Sequence, residues 1–185
     1  KEGRPKWKHT GKKSTWIYPA YVPRPPFPIL KILEDSEDLI LVESIGDLLA
    51  LHAHGIYNVL VTFGLDVSPS ILSFLPQLNS PRLILSFNND SSSSENRGLQ
   101  ASVKNYLKLL SHSDPAKICI CLPVKNDFGD MTSDCFEKWR TKLDNINIPH
   151  QQRDIVNAAH DLASEKKLSQ KLLKNLSLLK DLCHE

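Results

Sequence analysis

The sequence predicts an α/β fold built on a four-stranded parallel sheet with helices on both faces, followed by C-terminal helices. Three observations predict it. Four short apolar runs of strand length recur along residues 38–123. Segments of helical period separate them, which makes repeated βαβ units. After residue 149 strand-like runs stop and only helical patterning continues.

DLILVE (38–43) is a short buried-strand pattern, and GDLLALHAH (46–54) is helical, with Gly55 placed as its C-terminal stop. NVLVTF (58–63) is the second strand. Ser68 and Pro69 stand as N-cap and first residue of a helix reaching about Leu78. PRLILSF (81–87) is the third strand. Residues 95–111 form a helix whose apolar face carries Leu99, Val103, Tyr106, Leu107 and Leu110. KICICLP (117–123) is the fourth strand, and a helix follows over 132–144. Residues 151–165 and 166–183 read as two further helices. Leu168, Leu172, Leu176, Leu179 and Cys183 form a stripe on the last, which predicts packing onto its own domain. The organisation is therefore a basic, Pro-rich arm (1–31), an α/β domain (32–149) and a helical extension (150–185).

With 185 residues, the chain can bury one substantial core, and no apolar run approaches the roughly 20 residues of a membrane span. The only methionine is Met131, so the chain reads as a piece or processed product of a longer protein. Net charge is +2 overall but uneven: residues 1–31 hold eight basic residues against one acidic, +7, which leaves −5 for the rest. Lys6, Lys8, Lys12 and Lys13 alternate there with Trp7 and Trp16. That mixture suits either a nucleic-acid contact, with cations on phosphates and rings under bases, or a solvated chain end. Cys119, Cys121, Cys135 and Cys183 form no CxxC pair and no zinc spacing. Cys119 and Cys121 fall on one face of a strand, as core residues, and a reducing, intracellular compartment is expected.

Ligands of open parallel sheets bind beyond the carboxyl ends of the strands. Strand one ends in Glu43, with Asp47 in the following helical turn. Strand two leads to Gly64 and Asp66, strand three to Asn88-Asn89-Asp90, and strand four to Asp127 and Asp130. Each of Asp47 and Asp66, taken singly, suits a helix cap. The set as a whole suits a divalent cation, because converging carboxylates repel unless one lies among them. Oxygen ligands favour Mg²⁺ or Mn²⁺, and such ions serve phosphoryl chemistry. Arg97 and Lys125 stand beside these acids, where they could hold a triphosphate or template phosphate or simply face solvent. His52 and His54, two apart, do not share a helix face and are read as one partly buried and one exposed side chain. The serines at 91–94 belong to a flexible loop.

Residues 39–64, LILVESIGDLLALHAHGIYNVLVTFG, resemble the first motif of Toprim domains, a Rossmann-like family: a strand ending in Glu, an Asp four residues on, and a Gly-containing turn to the next strand. LILSFNND (83–90) followed by NRGLQAS (96–102) resembles the second motif, an Asp-x-Asp before a Gly/Ala-rich helix start. LPVKNDFGDM (122–131) resembles the acidic segment after strand four. KWKHTGKKSTWIYP (6–19) is similar to the leader of some phage primases, so the likeness spans roughly residues 4–143. It implies the catalytic domain of a phage-type DNA primase, which makes RNA primers on single-stranded DNA from nucleoside triphosphates. The host would be a bacterium or phage-infected cell, and a replicative helicase a possible partner. By position Glu43 would be the general acid/base or a metal ligand, and Asp47, Asn88, Asp90, Asp127 and Asp130 would hold Mg²⁺ or Mn²⁺. This sequence departs from the pattern at Asn88, where the family has Asp, and at Ser44, where it has Gly. Other functions remain open: a Toprim-type metal-dependent nuclease, or a non-catalytic nucleic-acid-binding or assembly module.

Overall fold

A computed structural model describes residues 11, 12, 15–19, 36–91, 93 and 95–184. Lys6, Lys8, Lys13 and Trp7 lie outside the described residues. The strands are β1 (Asp38–Val42), β2 (Val59–Val61), β3 (Arg82–Leu85) and β4 (Ile118–Ile120). The helices are α1 (Ile45–Ala53), α2 (Pro69–Phe74), α3 (Arg97–Leu109), α4 (Ser133–Asp144), α5 (Ile148–Ser164) and α6 (Gln170–His184). Among the described residues, no helix is long and apolar enough to cross a membrane.

The sheet has the order β2-β1-β3-β4 and is parallel throughout, with Ile40 level with Val59 and Ile84, and Ile84 level with Cys119. The predicted α/β class, parallel sheet and two helical layers are all present. Because strand side chains alternate between faces, each strand feeds two cores. Ile40, Val42, Val59, Val61, Ile84, Cys119 and Cys121 pack under α1 and α4, where Trp139 and Phe136 are buried. Leu39, Leu41, Leu60, Leu83, Leu85, Ile118 and Ile120 pack under α2 and α3. Ile155, Leu162, Leu176 and Leu179 join that second core, so α5 and α6 share it through the predicted apolar stripe.

Strands are shorter than the apolar runs that announced them, because chain at both ends leaves the ladder for turns. The helix predicted over 69–78 ends its α turns at Phe74 and tightens into a 3₁₀ turn at Leu75–Gln77, where Pro76 lacks the amide that α geometry would use. α5 begins at Ile148, earlier than predicted, because Asn147 caps it by accepting from the His150 amide at 2.9 Å and Pro149 suits its first turn. α6 begins later, at Gln170, after Lys166 turns to φ +56.

Both edges of the sheet are covered. On the β2 edge, the Val61 amide donates to the Tyr18 carbonyl at 2.9 Å. Phe63 stands edge-on to Trp16 and Tyr18, with centroids 5.1 and 5.9 Å away. Trp16 is thus half-buried against the sheet edge. On the β4 edge, the Gln151 side chain completes the ladder, accepting from the Ile120 amide at 2.9 Å and donating to the Ile120 carbonyl at 2.7 Å. Exposed edges template pairing with other chains, and one side-chain amide closes this one.

The end of β3 depends on a single glycine. A Cβ on Gly98, in the first turn of α3, would lie 1.6 Å from the Asn88 carbonyl oxygen and 2.7 Å from its carbon. Both are backbone atoms that no rotamer change can move. Gly98→Ala is expected to lose at least about 3 kcal/mol of stability, read as a lower urea midpoint. An unchanged midpoint would show that α3 does not press on the β3 end.

Candidate functional site at the strand ends

The chain reverses direction across the sheet between β1 and β3: β2 lies on one side of β1, while β3 and β4 lie on the other. The carboxyl ends of two strands that diverge this way open a crevice, the usual ligand position in open α/β sheets. Glu43 follows β1 and Asn88-Asn89-Asp90 follows β3, so the crevice is lined by the residues the sequence singled out.

Glu43 is half-buried, and its backbone carbonyl accepts from the Gly64 amide at 3.1 Å. Gly64 has φ +140, a conformation only glycine adopts freely. Burial pushes the Glu43 carboxyl above its ordinary range, and the charges of Asp47 and Asp90 push it further. Arg97 opposes this and Asp127 adds to it. Acids from the ends of β1, β3 and β4 therefore act on one side chain.

Asp47 is buried, with 2% of its surface exposed. Ser44 is the N-cap of α1, and the pair forms a capping box. The Ser44 hydroxyl and amide donate to Asp47 Oδ2 at 2.6 and 3.1 Å, and the Phe128 amide donates to Oδ1 at 3.2 Å. Burial raises its pKa, while the hydrogen bonds from Ser44 and Phe128 oppose the rise. The capping alternative is thus realised at Asp47. Asp66 is no cap: it lies on the surface, paired with Lys108 at 2.8 Å.

Asn88 Oδ1 is buried with no hydrogen-bond partner among the described residues. Asp90 faces the Arg97 guanidinium at 4.0 Å, with Arg97 mostly exposed. Asp127 accepts from the Asp130 amide at 3.0 Å and so starts the 3₁₀ turn Phe128–Asp130, leaving Asp130 exposed. Lys12 and Lys125 are exposed. Among the described residues, no three His, Cys, Asp or Glu side chains are grouped tightly enough to hold a metal ion by themselves. His52 and His54 are both half-buried, contrary to the expectation of one exposed ring, because His54 stacks on Phe136 at 3.7 Å.

Asn89, passed over as the middle residue of the motif, is the splice of the rim. Its amide donates to Asn126 O at 2.7 Å and its side chain to Pro123 O at 3.0 Å, while its Oδ1 accepts from Asn96 at 2.9 Å. Asn96 in turn caps α3 by accepting from the Leu99 amide. A polar residue unexplained between two candidate ligand positions was the available signal.

The fold is similar to that of a solved primase domain. Over 94% of its length the chain superposes on the RNA polymerase domain of Mycobacterium tuberculosis primase DnaG, with a TM-score of 0.62 and 15% identity. It spans 56% of that chain, and at this identity the likeness establishes the shared fold. No family model matches the chain, and no curated protein does.

The raised Glu43 pKa has a stability consequence. Between its unfolded and folded values the native state holds more protons, so stability falls as pH rises through that window. Glu43→Gln removes the loss. At pH 7 the variant is expected to melt about 1–3 °C above the native chain, with the gain disappearing below the ordinary carboxylate range. A lower Tm at pH 7 would contradict the crowding of charge at Glu43.

Proposed function

We propose that this chain is the Toprim catalytic domain of a phage-type DNA primase, performing metal-dependent nucleotidyl transfer on single-stranded DNA. The observation that carries the reading is the position of Glu43 at the switch point of a primase-like fold, under the field of acids from three strand ends. A divalent cation would draw on Asn88, whose side-chain oxygen is buried with no hydrogen-bond partner among the described residues, and on the carboxylates of Glu43 and Asp90, which stand close enough for the Asp90 charge to act on Glu43. A bound Mg²⁺ or Mn²⁺ would offset charge on the nucleotide phosphates.

The chain's own groups supply the rest. Glu43, with its raised pKa, is suited to take the proton of an attacking 3′-hydroxyl as that oxygen bonds to the α-phosphorus and pyrophosphate leaves. Arg97, exposed and close to Asp90, is placed to meet phosphate oxygens. The N-terminus of α3 adds its amide dipoles to the same side. Asp47 is assigned a positioning role, since Ser44 and Phe128 already occupy its oxygens. The exposed Lys12 suits contact with template phosphates.

Calorimetric titration with Mn²⁺, with and without a nucleoside triphosphate, tests this. The native chain is expected to bind. Glu43→Gln and Asp90→Asn should each weaken binding at least about tenfold, and Asn88→Asp should tighten it by adding a charge. No binding by the native chain, even with nucleotide, would overturn the reading in favour of a non-catalytic nucleic-acid module.

A further inference from the structure

The chain leaves β2 through a bulge. The Thr62 amide donates to the Val42 carbonyl at 2.9 Å, and the Gly64 amide donates to the Glu43 carbonyl at 3.1 Å. Two residues on the β2 side thus answer one on the β1 side, and Phe63 is the extra one. Phe63 has φ +58, in the left-handed region that bulky side chains rarely enter. Glycine would adopt that φ at no steric cost. Strained backbone of this kind persists only where its surroundings hold it, and it gathers at functional sites.

What holds Phe63 comes from the N-terminal arm. Trp16 and Tyr18 both pack edge-on with its ring, with centroids 5.1 and 5.9 Å away. The Tyr18 carbonyl also takes the Val61 amide at 2.9 Å, so the arm is bonded to the strand two residues before the bulge. Trp16 is fixed in turn by the residues before it. The Thr15 amide and hydroxyl donate to the Lys12 carbonyl at 3.0 and 2.8 Å, and a Cβ on Gly11 would lie 3.1 Å from the Trp16 ring. On the other side of the bulge, the Gly64 amide holds the peptide that joins Glu43 to Ser44, the N-cap of α1. Glu43 is therefore set from α1 through Ser44 and from β2 through Gly64.

We propose that Phe63 is a positioning residue of the strand-end site: its ring, clamped by Trp16 and Tyr18, keeps the bulge that presents the Gly64 amide to Glu43. The inference rests on the reading of Glu43 as a cation ligand, and it makes two aromatic residues of the arm supports of that site. The arm then has a task besides contact with nucleic acid, because its docking on the β2 edge completes the crevice.

Phe63→Gly separates this role from a structural one. Glycine relieves the strain at φ +58, which offsets the lost ring contacts in overall stability, but it leaves the bulge unclamped. The test combines calorimetric Mn²⁺ titration, urea unfolding and amide exchange at Gly64. Phe63→Gly and Trp16→Ala are each expected to weaken Mn²⁺ binding about tenfold and to speed exchange at Gly64. The urea midpoint of Phe63→Gly should stay near the native value. Phe63→Tyr, which keeps the ring, should keep both affinity and protection. Native affinity and native Gly64 protection in Phe63→Gly would overturn the inference. So would a loss of affinity that merely follows a lowered urea midpoint. A native chain that binds no Mn²⁺ would instead overturn the cation reading of Glu43. Gly64 exchange in Phe63→Gly then decides the clamp by itself, faster exchange supporting it and unchanged protection overturning it.

Discussion

The Asp47 carboxylate joins two parts of the chain that lie 81 residues apart, and the strand-end rim depends on that joint. One oxygen takes both the hydroxyl and the amide of Ser44, which fixes the first turn of α1 directly after β1. The other takes the Phe128 amide, which fixes the loop after β4. Hydrogen bonds to an ionised, buried carboxylate are among the stronger polar contacts a fold can make. With both oxygens used, Asp47 determines where Glu43 and Asp127 stand relative to each other.

A second constraint acts from the β3 side. Gly98 lets α3 press against the Asn88 backbone, and Asn89 ties the same stretch to the loop after β4. The three strand ends are thereby drawn into one crevice at the point where the sheet changes direction. Burial and like charge then combine at Glu43. The crowding disfavours its ionised form, and a readily protonated carboxyl within the field of the Arg97 guanidinium is the outcome. Stability is lost at the spot where chemistry is expected, a common relation in enzymes.

Much of this was legible in the sequence. Apolar runs alternating with helical periods are enough to specify a parallel sheet, and the acids following each run point to its carboxyl rim. The capping sequences at Ser68-Pro69 and the stop at Gly55 read directly, since each reflects local backbone chemistry. Three features did not. Gln151 completing the β4 edge, Gly98 admitting the Asn88 carbonyl, and Asp66 turning to Lys108 all depend on segments brought together only by folding. The roles within the rim were equally hidden: spacing alone cannot separate an Asp that binds backbone amides from one that faces a ligand. Asn88 shows the converse, a departure from the acidic pattern whose oxygen is nonetheless buried and has no hydrogen-bond partner among the described residues.

The central claim, that acids from three strand ends converge on Glu43 and poise it for a cation, can be tested by titrating the Glu43 carboxyl by carbon-13 NMR with and without Mg²⁺. The account predicts a midpoint above the ordinary glutamate range in metal-free solution, falling when Mg²⁺ is added. An ordinary midpoint that Mg²⁺ leaves unchanged would contradict it.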